Sequence, residues 1–383
     1  MNKSGIQFDL AITSLAINDT FVAKKVLEIE SEIDKLSDQL LMHTALGIRS
    51  PRDAEDYLSL FHIATAVGTM SDVAGNIAEI VVSGRNPFSK RNTMFLFMHE
   101  FIDAVKISEN SPLVGSEEKD LDVQEIMGID IMALRRGEKI SLEHNIPFQP
   151  GDVLYLRGPL PNVIIFAELA RGHLSSLEEA RKLLAESEIE EPDESDLRPF
   201  EAKLLRMLDF ASLMLDLSFL VHIESGDVYK KAVMSFEELI DRTLVEYNKD
   251  LMEAFKKGEI SEDDAVGLLK LGHELEIMAD AANHLAFGAS KRKAMGRELL
   301  KDIIGETEEP ISLIPIMPGS PFVGKTIRNA ELETEVSGEV FDVIALRRKG
   351  RVIPFPDEDT ILRAGDMLII KTYQETDEEE EHD

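Results

Sequence analysis

The stretch that decides the fold is SPLVGS at Ser111–Ser116, because it recurs as SPFVGK at Ser320–Lys325. Two further motifs follow it in the same order in both halves of the chain. The tract IDIMALRR recurs as FDVIALRR, and PGDVLYL, around Gly151, recurs as AGDMLII, around Gly365. Three motifs that recur in order, at a separation that changes by only a few residues, indicate an internal duplication.

The segments that precede these motifs predict helices in both copies. LSLFHIATAVGTMSDVAGNIAEIVV places apolar residues at spacings of three and four, Asn18-Asp19-Thr20 offers cap residues, and Pro51 suits a first helical position. A further short helix is predicted in NTMFLFMHEFIDAV, from Asn92, which gives a three- or four-helix antiparallel bundle. KKAVMSFEELIDRTLVEYNKDLMEAF and the tract after Ser261 repeat this pattern.

The repeated motifs themselves predict small β-rich units, because they contain short apolar runs bounded by charged or glycine-containing turns. A unit of this kind begins with a strand, continues through a short helix and ends in a meander. The fold class is therefore α+β, with two helical bundles that alternate with two small β-rich domains. The predicted boundaries are 1–103 (bundle), 104–160 (β unit), 161–198 (helix and acidic linker), 199–306 (bundle), 307–374 (β unit) and 375–383 (acidic tail).

The composition excludes several classes of protein. The formal net charge of −32 over 383 residues disfavours nucleic acid and anionic membrane surfaces as partners. The absence of cysteine excludes disulfides and thiolate metal sites. The most apolar stretch, Leu208–Ile223, contains Asp209 and Asp216 and is short for a membrane span, so we expect a buried helix, no membrane insertion and a cytoplasmic protein.

The β-rich units resemble the TrkA-C domain, the C-terminal domain of the RCK regulators of potassium transport. That family has a Pro-hydrophobic-x-Gly start, a strand that ends in Arg before a Gly turn, and a final Gly-Asp-hydrophobic strand. The residues that carry the resemblance are Pro112/Gly115, Arg135/Gly137 and Gly151/Asp152, then Pro321/Gly324, Arg347/Gly350 and Gly365/Asp366. The GxGxxG nucleotide-binding half of full RCK proteins has no counterpart in this sequence, so NAD binding is not implied.

The helical units resemble PhoU domains, whose signature helix carries Glu-xxx-Asp-xxx-Asn. The first copy has Asp72 and Asn76 but Gly68 in place of Glu; the second has Glu276 and Asp280 but His284 in place of Asn. Together the two resemblances cover nearly all of the chain. A combination of this type is similar to archaeal PhoU–TrkA-C proteins and implies a regulator of potassium or other cation transport.

Two sets of candidate metal ligands lie at helical spacing. Glu276, Asp280 and His284 share one face of a helix and offer two carboxylates and an imidazole to a divalent ion, whereas Asp72 and Asn76 offer less. A further ligand has to come from another helix, with Asp216 or Glu238 as candidates. The alternative is that these residues make hydrogen bonds within the bundles or face water. No cofactor is otherwise predicted.

Two arginine pairs, Arg135-Arg136 and Arg347-Arg348, stand at the end of a strand in an otherwise acidic sequence. Arginine forks bind phosphate or carboxylate, and the TrkA-C resemblance implies a cleft between paired domains for a small anionic effector, in some members cyclic di-AMP. The alternative is that these are surface arginines that pair with local glutamates.

We therefore predict a regulator that is not an enzyme, because no nucleophile–base constellation is visible. Its predicted partners are an anionic effector, a membrane ion transporter or channel subunit, and a second copy in a homo-oligomer such as a homodimer. Two other interpretations stay open: a metal-binding, PhoU-like regulator of phosphate or metal uptake, and a scaffold without a ligand.

Overall fold

The computed structural model describes residues 3–49, 51–88, 93–98, 100–118, 121, 123–143, 145–186, 196–223, 227–288, 311–330, 340–348 and 351–373. The chain divides into two compact units, Asn2–Ile304 and Gly305–Asp383, each with a hydrophobic core of its own. The predicted acidic tail, 375–383, and residues 187–195 of the predicted helix and acidic linker lie outside the described residues.

Three helices form the first bundle, and each packs against the other two. They are α1 (Lys3–Ile17), α2 (Thr20–Gly47) and α3 (Pro51–Val82). Asp19 caps α2, because its carboxylate accepts hydrogen bonds from the backbone N–H groups of Phe21 and Val22 at 2.8 and 3.4 Å. These donors have no partner inside the helix, so the cap fixes where α2 begins.

The second bundle repeats this arrangement. It consists of α7 (Pro199–Ile223), α8 (Asp227–Lys256) and α9 (Glu262–Gly288), which again contact one another pairwise. Ser261 caps α9: its hydroxyl accepts a hydrogen bond from the backbone N–H of Asp264 and donates one to the Asp264 carboxylate. The apolar stretch Leu208–Ile223 belongs to α7, and none of the described helices is long and apolar enough to cross a bilayer.

The two bundles pack against each other through their equivalent helices. α3 lies on α9, and α1 contacts α7. Asn76 on α3 donates a hydrogen bond to Glu274 on α9 at 3.2 Å, and further along the same pair Gly267 lies next to the backbone of Arg85. Residue numbers rise along α3 as they fall along α9, so the two helices run antiparallel.

A four-stranded antiparallel sheet follows the first bundle. Its strands are β1 (Phe101–Lys106), β2 (Asp130–Arg136), β3 (Lys139–Ser141) and β4 (Val153–Gly158), in the order β1-β4-β2-β3. The short helix α4 (Val123–Met127) precedes β2, whereas α5 (Leu160–Ala170) follows β4 and packs on the sheet, with α6 (Leu177–Glu186) against it. The sheet also contacts α1 and α2 of the first bundle.

The prediction of a further helix from Asn92 was only partly correct. Residues Thr93–Phe97 form a short 3-10 helix, but the FIDAV part of the same tract is strand β1. A short apolar run does not distinguish a buried strand from a helix. Pairing with β4 decides the matter, because it supplies the hydrogen bonds of the β1 backbone.

The Gly305–Asp383 unit contains a second sheet with the topology of the first. Its strands are β5 (Ile311–Pro315), β6 (Val340–Arg348), β7 (Arg351–Pro354) and β8 (Met367–Tyr373), in the order β5-β8-β6-β7. The register shifts between Ile131 and Ala133 in the first sheet and between the equivalent Val343 and Ala345 in the second. The duplication therefore extends to a shared irregularity of the ladder. The predicted turn residues 349–350 lie outside the described part of the chain.

The motif that reveals the duplication forms the same turn in both copies. Gly115 and Gly324 have φ angles of 90° and 88°, which side-chain-bearing residues rarely adopt. Their backbone N–H groups donate to the carbonyls of Phe148 and Leu362, each at 2.9 Å. The glycines thus fasten the start of each β unit to the segment that leads into its last strand.

Candidate effector and metal sites

The second arginine of each predicted pair is held by a carboxylate of its own domain. Arg136 donates from Nε and Nη2 to the two oxygens of Asp152 at 2.8 and 2.7 Å. Arg348 binds Asp366 in the same way, at 2.9 and 2.6 Å. Both aspartates are buried, and both follow the glycine of a Gly-Asp turn.

We define the pairs Arg136–Asp152 and Arg348–Asp366 as the clamp, and in the second pair the electrostatics favour the ionised carboxylate. Burial alone would raise the pKa of Asp366, but hydrogen bonds from Arg348 and from the backbone N–H of Arg363 outweigh it and lower that pKa. The same bond to Asp366 raises the pKa of Arg348. The clamp therefore closes the turn before the last strand. Its hydrogen bonds use several of the N–H donors of each guanidinium group.

The first arginine of the first pair is also engaged. Arg135 donates from Nε to the hydroxyl of Tyr155 at 2.9 Å and lies over the ring of Phe21 on α2, 5.0 Å from its centroid. The Tyr155 hydroxyl in turn donates to the carboxylate of Asp19 at 2.9 Å. Burial, then the Asp19 charge, raise the pKa of Tyr155. In this copy the arginine is thus engaged by a tyrosine that is itself hydrogen-bonded to a carboxylate of the helical bundle.

The equivalent arginine of the second copy, Arg347, differs. Ile369 occupies the position of Tyr155, as the pairing of Ala345 with Ile369 and of Ala133 with Tyr155 shows. Within the described residues Arg347 has no hydrogen-bond or ion-pair partner, although it is partly buried. Of the four predicted effector-binding arginines, it is the one whose guanidinium keeps its donors available.

The predicted metal ligands Asp72 and Asn76 lie on α3, where α3 meets α2 and α9. Asn76 donates to Glu274 at 3.2 Å. Burial, then Asp34 on α2, raise the pKa of Asp72. Carboxylates of α2 therefore lie close to the predicted site.

Glu30, which was not among the predicted ligands, lies at the centre of an acidic cluster with Asp34, Asp72 and Glu79. A Cβ at Gly75 would overlap its carboxylate, so the glycine lets Glu30 rest against α3. Burial, followed by the charges of Asp34, Asp72 and Glu79, raises the pKa of Glu30 to about 7. A carboxylate in these surroundings is partly protonated near neutral pH.

The second bundle carries an equivalent acidic cluster. Burial and then Asp280 raise the pKa of Glu276, and burial followed by Asp241 and Asp280 raises that of Glu237. Glu237 and Asp241 of α8 thus lie near Glu276 and Asp280, whereas a ligand from Asp216 or Glu238 stays a prediction. His284 is exposed, and His273 lies 3.2 Å from Glu276.

These clusters do not form a ready coordination shell. Among the described residues, no group of three or more histidine, aspartate or glutamate side chains converges closely enough to hold a metal ion. The predicted ligands Glu276, Asp280, His284 and Asp72 therefore belong to no such group. Metal binding thus stays a prediction that requires side chains to reorient around the ion.

The acidic residues of α2 and α8 belong to a short pattern that recurs in the sequence. ESEID at Glu30–Asp34 recurs as EELID at Glu237–Asp241. In each bundle the first and last residues of this pattern are acidic and lie about one helical turn apart. By contrast, no local pattern joins Asp19 to Tyr155, because that contact spans the helical bundle and the sheet.

Arg157 on β4 is a second residue that only the structure reveals. Its side chain is nearly buried and pairs with Asp9 on α1 at 2.8 Å, with Glu100 at 3.3 Å and with Asp130 at 3.5 Å. Burial of an arginine is tolerated when carboxylates surround it. This network and the Arg135–Tyr155–Asp19 contacts fix the first sheet to the first bundle.

Comparison with known proteins identifies the domains. A family model for the TrkA-C domain matches residues 104–170 and 311–376, and one for the PhoU domain matches residues 1–81. No curated protein sequence matches the chain.

Among solved structures, the chain is similar to the GsuK RCK domain, with 11% identity, a TM-score of 0.18 and coverage of 83% of this chain and 76% of that one. It is also similar to the GsuK channel bound to NAD, with 12% identity, a TM-score of 0.17 and coverage of 83% and 63%. The chain thus spans less than two thirds of that channel subunit.

The family matches agree with the repeated motifs and with the helical bundle and sheets in which they lie. The chain therefore combines a PhoU domain with two TrkA-C domains.

Proposed function

We propose that the chain is a non-catalytic regulator of potassium or other cation transport that binds a small anionic effector through its second TrkA-C domain. The PhoU and TrkA-C domains are regulatory domains, which supports the general role. The proposed partner is a membrane ion transporter or channel subunit on the cytoplasmic side. The pairing of TrkA-C domains around the effector, and a homo-oligomer, remain part of the proposal.

One observation carries the choice of the second domain. Arg135 in the first domain is already hydrogen-bonded to Tyr155, with the Asp19 carboxylate beyond it, whereas Arg347 has no partner among the described residues. A partly buried guanidinium retains donors that gain most from an anion. The arginine of the first copy is therefore already engaged within the chain, whereas that of the second copy is suited to a ligand.

The chemistry of a guanidinium limits the effector to phosphate- or carboxylate-bearing molecules. Arginine binds such groups in a bidentate manner. The TrkA-C resemblance makes cyclic di-AMP the first candidate, with ATP and AMP as simpler phosphate-bearing probes.

Isothermal titration calorimetry of the full chain tests this function. We expect one of these nucleotides to bind at one site per chain, because one of the two equivalent arginines is available. Arg347→Met should abolish the heat of binding, whereas Arg135→Met, the matched substitution in the first copy, should retain it. Absence of heat with all three nucleotides on a folded chain, or equal losses in both variants, would contradict the proposal.

A second candidate is a metal-binding, PhoU-like regulator of phosphate or metal uptake. The observation in its favour is the occurrence of equivalent acidic clusters in the two bundles, where mutual repulsion and burial raise the pKa values of Glu30 and Glu276. A divalent cation would relieve that repulsion.

Elemental analysis of purified protein tests the second candidate. Stoichiometric zinc, manganese or iron that is lost on Glu276→Gln with Asp280→Asn, and kept on Glu246→Gln at an exposed position of α8, would support it. A metal content that is negligible, or that the double variant leaves unchanged, would contradict it.

A further inference from the structure

A large groove lies at one end of the Asn2–Ile304 unit. It is bounded by the C-terminal end of α3, by the α8–α9 turn and by the start of α7, and it has a volume of about 1470 Å³. Pockets for small molecules usually have volumes of about 300–1,000 Å³. The size therefore suits a segment of polypeptide better than a metabolite.

The groove has an apolar floor. Ile80, Phe88 and Leu268 line it and are buried, each with no more than 5% of its surface exposed. At the rim, Val82 and Val266 remain 42% and 62% exposed. These two side chains extend the floor towards solvent, so an apolar surface of a partner can continue it.

Acidic side chains dominate the walls. The described lining residues include six acids, Glu79, Glu201, Glu259, Glu262, Asp263 and Asp264, and three bases, Arg85, Arg198 and Lys270. Arg198 pairs with Glu201, so the bases neutralise only part of the charge. Glu259, Glu262 and Asp263 form an exposed acidic wall along the α8–α9 turn.

The wall is not arranged for a single ion. Throughout the described ranges, no three potential ligands converge on one point. Carboxylates spread along a groove with an apolar floor instead match a chain segment that carries cations on one face and apolar side chains on the other.

We propose that this groove binds a Lys/Arg-rich amphipathic helix of a partner protein, with its apolar face on Val82 and Val266 and its basic face on Glu259, Glu262 and Asp263. The inference rests on the proposed function for the source of the helix, because cytoplasmic segments of membrane transporters carry an excess of Lys and Arg. It names the surface through which the chain would contact such a transporter.

Fluorescence anisotropy with the full chain tests the groove. The probe is a labelled amphipathic helical peptide of Lys and Leu, and its counterpart has Glu in place of Lys. We expect the Lys peptide to bind, more weakly as salt rises, and the Glu peptide not to bind.

Two double variants locate the binding. Glu259→Gln with Val266→Ser changes the groove and should weaken binding about tenfold or more. Glu246→Gln with Val245→Ser is the matched control, because Val245 is 55% exposed on α8 outside the groove. The control should change the affinity by no more than about twofold, as expected when a charge outside the interface is removed.

Several outcomes would overturn the inference. These are no binding of the Lys peptide, equal effects of both double variants, or photo-crosslinks from the peptide to surfaces other than the groove. A change in sedimentation of the chain alone on the groove variant would assign the groove to self-association instead. Nucleotide calorimetry separates the two proposals, because effector binding at Arg347 does not require the groove.

Discussion

At the residue scale, duplication has preserved side chains whose tasks have diverged. Arg136 and Arg348 both clamp the aspartate of a Gly-Asp turn, so this position has kept one structural role. Arg135 and Arg347 are equivalent in sequence, but Tyr155 engages the first, and Ile369 in the second copy has no hydroxyl to offer. A change of one neighbour turns a structural arginine into a candidate binding residue.

The clamp predicts that substitutions of the neighbouring residues Arg348 and Arg347 lower the stability of the fold by different amounts. Arg348→Met leaves the buried carboxylate of Asp366, which is 3% exposed, without its charged partner. We expect a loss of about 2–3 kcal/mol. Hydrogen exchange of β6 and β8 amides in the full chain should then accelerate about 30- to 150-fold.

Arg347→Met is the matched control for the clamp. It removes the adjacent arginine, which has no partner among the described residues. Amide exchange should change by less than about threefold, because substitutions away from specific contacts have small effects. Equal acceleration in both variants would contradict the role assigned to the clamp.

Glu30 predicts a pH dependence of the first bundle. Its folded-state pKa of about 7 lies above the ordinary value of 4.5, so the folded state holds a proton that the unfolded state releases. The stabilisation of the folded state by this proton is therefore complete below pH 4.5 and is lost as the pH rises through about 7. In Glu30→Gln, the free energy of unfolding should therefore change less with pH between 4.5 and 7.

Thermal unfolding between pH 4.5 and 8 measures the effect. Glu32→Gln on the same helix is the control, because the hydrogen bond from Lys3 lowers the pKa of Glu32. A profile that is as steep in Glu30→Gln as in the unsubstituted chain would show that Glu30 does not titrate in this range.

At the element scale, contacts between elements determined what local patterns left open. The tract from Asn92 contains apolar residues at a spacing that suits either a helix or a strand, and pairing with β4 selected a strand for its second part. The same strand β4 carries Arg157 and Tyr155, which reach Asp9 and Asp19. One strand thereby joins the first sheet to α1 and to the start of α2.

The Arg157 network predicts that one substitution loosens this junction. Arg157→Met leaves the carboxylates of Asp9, Glu100 and Asp130 without a shared cation in a site that is largely buried. We expect a loss of about 3 kcal/mol. Hydrogen exchange should accelerate in α1 and β4 of the full chain.

Arg171→Met provides the comparison for Arg157. Arg171 is exposed at the end of α5 and pairs with Glu168 on the surface, so its removal should cost less than about 0.5 kcal/mol. If both variants leave α1 and β4 equally protected, the network does not fix the sheet to the bundle.

At the scale of the whole molecule, duplication produced two bundles that pack through equivalent helices. α3 and α9 run antiparallel and bring Asn76 next to Glu274, so the second bundle contributes a carboxylate to the surroundings of the first bundle's acidic cluster. The second TrkA-C domain, by contrast, belongs to a separate compact unit with its own core.

This division predicts that the Asn2–Ile304 unit folds without the rest. A chain that ends at Ile304 should keep its helical circular dichroism, and the midpoint of its main thermal transition should shift by less than about 3 °C. The cores of its two bundles and first sheet lie within it, which is the physical reason. Loss of helicity on truncation would contradict the division.

The candidate sites were predictable from the sequence only in part. The arginine pairs, Asp72 and the Glu276–Asp280 pair were found because they belong to repeated or family motifs. The sequence did not predict which arginine remains available. That depends on whether position 155, or its equivalent 369, offers a hydroxyl across a strand pair. Glu30 was missed because its environment depends on a glycine of another helix.

The sequence by itself determined the duplication, the alternation of helical bundles and sheets, and the turns, because these depend on periodicity, caps and glycines that act over a few residues. Only the tertiary structure decided which charges meet. Asp19 with Tyr155, Asp9 with Arg157 and Glu30 with Gly75 are far apart along the chain, and their energies depend on burial and distance, which exist only once the elements have packed.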